Sequence, residues 1–351
     1  MSEDDVADEL SPAANPWLIG HMRAERRILE ALRSGRMHHA WLLSGPVGIG
    51  KATLAYRFAR FMLAHPASVP EDADSLHVDE DHPVFRMVAA GSHPDLVTCR
   101  RMPDPRTGRL RAMIGVDEAR AVSRFLTHTA AEGGWRVAVI DAADDMNTAA
   151  ANAILKVLEE PPARCLFLLV SHSPGRLLPT IRSRCIHLPL RPLSVAQVRE
   201  ALALVRGADG EDMEGLETAA ALSGGSPGRA LALAGSRAAE LFTRFRDAAS
   251  APSGPLDRSV VLPLTEALSG ARNRDDFRLF MDLFMEWMHE NASGLARAGH
   301  IREAGLWADL AGEALSAAGR AEALNLDGRQ VLSELIGRVE RLPRPVAVHQ
   351  G

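Results

Sequence analysis

Residues Gly45-Pro46-Val47-Gly48-Ile49-Gly50-Lys51 place glycine, glycine and lysine at the spacing G-x-x-x-x-G-K. Glycines at those positions let backbone N–H groups wrap a phosphate. A helix starting there adds partial positive charge, and the lysine neutralises β/γ oxygens. Lysine is otherwise almost unused in this chain: of 40 basic residues only Lys51 and Lys156 are lysine. The residue after Lys51 should carry a hydroxyl that holds magnesium. It is Ala52, and Thr53, one place later, is turned about 100° further round the helix. Phosphate binding is expected, with magnesium held weakly or not at all.

A second chemical feature is the run Val137-Ala138-Val139-Ile140-Asp141, an apolar strand ending in a carboxylate. Opposite a phosphate loop such an aspartate holds magnesium through water. Hydrolysis also needs a group that orients or deprotonates the attacking water. The next position is Ala142, then Ala143. Asp144 and Asp145 lie too far along the turn to substitute, and are expected to cap the following helix. Two separate parts of a hydrolytic site are therefore missing while the cradle is kept.

These residues need a strand-and-helix scaffold, and the pattern supplies one. Short apolar runs at Trp41–Ser44, Asp95–Cys99, Arg136–Asp141, Cys165–Ser171 and Ile186–Leu190 read as strands. Thr53–Ala64 and Met146–Leu158 read as helices between them. Alternation of this kind predicts an α/β fold with a mostly parallel sheet covered on both faces. After Pro192 the strands stop. Ser194-Val195-Ala196-Gln197 is a capping-box pattern that opens a helix. The stretch 249–255 reads as a linker, and Arg274–His289 sets Phe277, Phe280, Phe284 and Trp287 at helical spacing.

Composition narrows the classes. Net charge is −5, and Glu3, Asp4, Asp5, Asp8 and Glu9 in the leader supply as many negative charges. The rest is about neutral, which argues against holding DNA by bulk charge alone. No run reaches the roughly 18 apolar residues of a membrane span, and the acidic start is the opposite of a targeting signal, so a cytoplasmic protein is expected. Cys99, Cys165 and Cys185 are too few and too scattered for a disulfide framework or a four-thiolate zinc site.

In order along the chain stand the phosphate loop, the strand to Asp141, the run Asn152-Ala153-Ile154-Leu155-Lys156-Val157-Leu158-Glu159-Glu160-Pro161-Pro162, and Ser183-Arg184-Cys185. Together they resemble bacterial clamp-loader subunits of the AAA+ class. The resemblance covers about residues 17–190 closely and is only architectural beyond about residue 235. The acidic start over 1–14 reads as a disordered leader, and the resemblance implies a AAA+ P-loop α/β domain with a parallel sheet over 15–190. A small helical lid domain over 191–248 and a C-terminal all-helical collar domain over 257–345 would follow.

The same resemblance implies residue roles. Arg184, with Ser183 and Cys185, would reach the ATP site of the adjacent subunit. Ile19, Gly20 and His21 would line the adenine pocket. Gly45, Gly48, Gly50, Lys51, Ala52, Thr53 and Asp141 would surround the phosphates, Ser171 would take the polar sensor position, and Arg229 would be the lid arginine. Relatives often carry a four-cysteine zinc module between the first two strands. Here the stretch holds Glu71, Asp72, Asp74, His77, Asp79, Glu80, Asp81 and His82 in no zinc spacing, so no metal site is expected and a solvated loop is.

Within the family it resembles, a decayed cradle with a retained Ser-Arg-Cys is similar to a non-hydrolysing scaffold of the DNA polymerase III holoenzyme. It would assemble in a hetero-oligomer with gamma/tau-type and delta-type sister subunits that loads the sliding clamp on primed DNA. The alternative is the ATP-hydrolysing motor subunit of the same machine, against which Ala52 and Ala142 count. A branch-migration ATPase or a nucleotide kinase fits less well: the first should keep its hydrolysis residues, and the second should lack Ser-Arg-Cys.

Overall fold

The computed structural model describes residues 11–35, 37–104, 106, 108, 110–128, 134–206, 213–249, 255–324 and 327–343. The chain divides into two compact units, residues 1–210 with 224–228, and residues 211–223 with 229–351.

The first unit is built on five parallel strands: β1 (Ala40–Ser44), β2 (Leu96–Arg100), β3 (Arg136–Asp141), β4 (Cys165–Ser171) and β5 (Ile186–Pro189). Their order across the sheet is β2-β3-β4-β1-β5. Every residue of β1 and β4 is buried, as expected for central strands covered on both faces. Its helices are α1 (Met22–Arg33), α2 (Lys51–Ala64), α3 (Pro83–Ala89), α4 (Val116–Thr127), α5 (Thr148–Glu159), α6 (Pro179–Arg182) and α7 (Val195–Arg206). Alternate strand residues serve the two faces. Leu42, Ala138, Ile140, Phe167 and Leu169 pack with Leu126, Ile154 and Leu158 of α4 and α5. On the other face Trp41 meets Phe58 of α2 edge-on, with ring centroids 5.8 Å apart.

The parallel register aligns the strand ends that matter. Ser44 is paired with Ser171, and Asp141 sits opposite Val170 and Arg100. The capping box expected at residue 194 forms: Ser194 Oγ accepts from the Gln197 amide at 3.3 Å, and Gln197 Oε1 accepts from the Ser194 amide at 3.0 Å.

Residues 11–14 differ from the disordered leader expected over 1–14. Arg60 of α2, 1% exposed, donates to the Ala13 and Asn15 carbonyls at 2.8 Å each and stacks its guanidinium 4.4 Å from the Phe85 ring centroid. Arg60 is withdrawn from water enough that its pKa falls to about 10, and the backbone carbonyls of the leader supply its acceptors. Residues 1–10 of that leader lie outside the described residues. The acidic stretch 71–82 also differs from a fully solvated loop. Leu76 is fully buried, its amide donates to Glu25 Oε1 at 2.8 Å, and His82 caps α3 by accepting from the Val84 amide.

The second unit is all helical among its described residues: α8 (Met213–Leu222), α9 (Pro227–Ala234, whose first two residues fall in the first unit), α10 (Ala238–Ala248), α11 (Arg258–Ala267), α12 (Arg274–Arg297), α13 (Ile301–Leu324) and α14 (Gly328–Val339). Its core joins Phe242, Phe245, Phe280, Phe284, Trp287 and Trp307. Phe245 meets Phe280, Phe284 and Trp287 at 6.1, 5.2 and 5.3 Å between centroids, all near perpendicular. Among the described residues no helix is long and apolar enough to cross a membrane.

Candidate functional site

The phosphate loop leaves β1 and enters α2, so glycine backbone freedom meets a helix N-terminus at the C-terminal edge of the sheet. Gly50 occupies the N-cap of α2 at φ +97°, a left-handed conformation that disfavours side chains. At Gly45 a Cβ would stand 2.5 Å from the Leu190 carbonyl oxygen. The Gly45 amide donates to the Ser171 carbonyl at 3.2 Å, which fastens the loop to the end of β4.

Three of the loop's carbonyls are taken. His21 is buried, and its Nε2–H donates to the Ile49 carbonyl oxygen at 2.6 Å. The Gly228 amide donates to the Gly48 carbonyl at 3.0 Å. Lys51 Nζ donates to the Pro46 carbonyl. Burial pushes the Lys51 ammonium down to about 8, partly countered by the charges of Asp141 and Asp144. Burial likewise raises Asp141 and lowers His172 and His21.

Ser171 is fully buried, and its Oγ has no hydrogen-bond partner, as do Asp144 Oδ1 and His172 Nδ1. Unsatisfied buried polar atoms are costly, so their presence beside a phosphate loop marks places where a ligand or water would be held. The loop glycines, Lys51 and the Ser171 hydroxyl fit phosphate groups. Ala52 and the buried Ala142 and Ala143 offer nothing to a hydrated magnesium ion or an attacking water. Among the described residues no three of His, Cys, Asp and Glu stand together so as to hold a metal ion.

Asp144 and Asp145 do not cap α5. Asp144 Oδ2 accepts from the His172 amide at 2.8 Å and the Ser173 amide at 3.3 Å, and Asp145 pairs with Arg101 at 3.0 Å. Asn147 is the cap, its Oδ1 accepting from the Ala150 amide at 2.8 Å. A short turn over Ala143–Asp145 precedes the helix and displaces its start, so the acids face β4 and the end of β2 instead.

The remaining residues sit apart from the loop or at its border. Ile19 and Gly20 precede His21. Gly20 is at φ +77°, and a Cβ there would approach Leu193 Cγ to 3.0 Å. Thr53 is buried on α2. Ser183 and Arg184 follow α6, and Cys185 leads into β5. Burial pushes the Cys185 thiol up to about 12 and Cys99 and Cys165 to about 11, which makes all three poor nucleophiles. Arg184 Nη2 lies 2.7 Å from Glu159 Oε1, and its Nη1 donates to the Thr180 carbonyl at 2.8 Å. Arg229 lies in the second unit, paired with Glu286. Residues that sequence reasoning had not singled out are His172, Glu159 and Gly228. Only Glu159 carried a signal, through its place in the Leu-Glu-Glu-Pro-Pro run.

A parallel sheet ordered 2-3-4-1-5 with a phosphate loop after β1, an aspartate ending β3 and a polar residue ending β4 is the α/β domain of a AAA+ protein, here with a helical C-terminal unit. Residues 20–194 match the family described as DNA polymerase III, delta subunit, and the chain belongs to that family. The likeness is to the delta-prime subunit. Over 190 residues the chain is 40% identical to DNA polymerase III subunit delta' of Pseudomonas aeruginosa, covering 54% of this chain and 53% of that protein. Over 218 residues it is 34% identical to the same subunit of Escherichia coli K12, covering 62% and 60%. The chain thus spans about half to three fifths of the length of these curated relatives. Among solved structures it is similar to a DNA polymerase III gamma-subunit-related protein from Thermotoga maritima, at 17% identity and a TM-score of 0.49, covering 90% of this chain and 99% of that one.

Proposed function

We propose that this chain is a clamp-loader subunit that does not turn over ATP itself and supplies Arg184 to the ATP site of a neighbouring subunit. It would assemble with gamma/tau-type and delta-type sister subunits, and through them serve the sliding clamp and primed DNA. The domain plan goes with this reading: an α/β domain over 15–190, a lid over 191–248 and a collar over 257–345.

The observation that carries the non-hydrolysing part is the pair Ala52 and Ala142. Each stands where hydrolysis needs an oxygen, one for magnesium and one for the attacking water. The Lys51 ammonium supports it, because the cation that would meet the phosphates already donates to the loop's own Pro46 carbonyl. If nucleotide binds, Gly45, Gly48, Gly50 and Lys51 would hold its phosphates, with Ile19, Gly20 and His21 beside the base and Ser171 and Asp141 at the far end. Bound ATP would supply binding energy between subunits, and the chain's own residues would hold and orient it.

The second half of the proposal is carried by Arg184, a guanidinium about one third exposed on the Ser-Arg-Cys turn. Such a fork placed on a γ-phosphate spreads charge over oxygens that become more negative in the transition state. The test is hydrolysis by the purified chain, wild type and with Ala52→Ser combined with Ala142→Glu. The proposal expects both to stay near background, since residue 142 is 4% exposed and a carboxylate there would be desolvated into its neutral form. A large gain in the double variant would instead support a motor subunit with two recently lost side chains.

A further inference from the structure

Glu159 is the last residue of α5, where the helix's own carbonyls make the end partially negative and disfavour a carboxylate. Its partner across the fold is Arg184, at 2.7 Å. Arg184 is also held from its own side, by the Thr180 carbonyl in the last turn of α6. One guanidinium is therefore fixed at two nitrogens by acceptors on two different elements. The group has five N–H donors in a rigid plane; Nη1 also reaches Ser183 Oγ, at 3.5 Å, so the donors left over are one hydrogen on Nη2 and the Nε–H. The side chain keeps 34% of its surface exposed.

We propose that Glu159 is a positioning residue for Arg184. It holds the plane of the fork while leaving an Nη2 hydrogen and the Nε–H for phosphate oxygens, so that a neighbour's nucleotide meets an arginine already ordered. A free arginine would lose its rotamer freedom at that moment, and the carboxylate removes that loss in advance. This rests on the reading that Arg184 acts in trans. An exposed ion pair contributes little to folding, so the effect of Glu159 belongs in turnover and not in unfolding.

The test uses the assembled complex with sister ATPase subunits, equal assembly being confirmed by size exclusion. ATP turnover is compared for wild type, Arg184→Ala, Glu159→Ala, Glu159→Gln and the Glu159→Ala, Arg184→Ala double variant. Glu159→Ala should lower kcat several-fold with KM for ATP nearly unchanged. Glu159→Gln, which keeps an accepting oxygen, should restore most of the rate, and the double variant should be no slower than Arg184→Ala. A slow Arg184→Ala beside a wild-type Glu159→Ala, or additive losses in the double variant, would overturn the positioning role and leave the trans arginine standing. If Arg184→Ala turns over as fast as wild type, the reading beneath the inference fails, and the inference with it.

Discussion

The buried ring of His21 is hydrogen-bonded to the phosphate loop itself, its Nε2–H reaching the Ile49 carbonyl oxygen at 2.6 Å. The bond ties the segment before α1 to the loop before α2 and gives one buried acceptor its donor. It also places a titratable group where protonation is opposed, by burial first and by the Lys51 charge as well.

Stability should therefore fall in mild acid. His21, His39 and His172 all have pKa values held below the ordinary 6.5, each with burial as the largest cause. Below that value the unfolded chain takes up protons that the native state refuses, so the unfolded state gains. At higher pH all three are neutral in both states, and that contribution to stability is fully present. Urea unfolding should show a falling midpoint from about pH 7.5 to about pH 5.5, with a shallower fall in His21→Gln. A midpoint that stays level or rises over that window would contradict the burial of these rings.

Lys51 sets a second pH dependence. With its pKa near 8, the cation that would meet phosphate is lost as pH rises through that value. ATP binding by the isolated chain, measured by titration calorimetry, should weaken between about pH 7 and about pH 9. Because Ala52 has no hydroxyl for magnesium, chelating the metal should change the affinity by less than about threefold. A loss of tenfold or more on chelation would show that another group holds the ion.

The pair Glu25 and Arg57 tests what holds the N-terminal segment in place. Both side chains are 10% exposed and 2.7 Å apart. Glu25 also accepts from the Leu76 amide, and Arg57 donates to the Pro16 carbonyl. Glu25→Ala leaves a buried guanidinium and an amide without their acceptor, which should cost about 3 kcal/mol in chemical denaturation. A loss under about 1 kcal/mol would mean that water replaces the carboxylate easily.

Strands and the phosphate loop were legible in the sequence because apolar runs of four to seven residues and fixed glycine spacing are local signals. β3 and β4 begin and end where the apolar runs do. The residues that were misread depend on distance in sequence. Asp144 and Asp145 look like helix caps locally, yet their acceptors serve His172 and Ser173 just past β4 and Arg101 just past β2. The acidic stretch around Asp74 and Asp79 reads as solvated by charge count, while Leu76 within it is buried against the Glu25 carboxylate. Arg184 has no acid beside it in sequence, and the fold brings Glu159 to it. Contacts between residues far apart in sequence, invisible to periodicity, decided each of these.

The central claim is that Arg184 works in a neighbour's site. It is tested most directly by DNA- and clamp-stimulated ATP hydrolysis of the reconstituted complex, with this chain wild type or Arg184→Ala and with equal assembly confirmed. An arginine stabilising the transition state should be worth at least about tenfold at the sites it serves, so the variant complex should assemble normally and lose a clear share of its rate. Hydrolysis at the wild-type rate would contradict the account and leave Arg184 as a structural partner of Glu159 and Thr180.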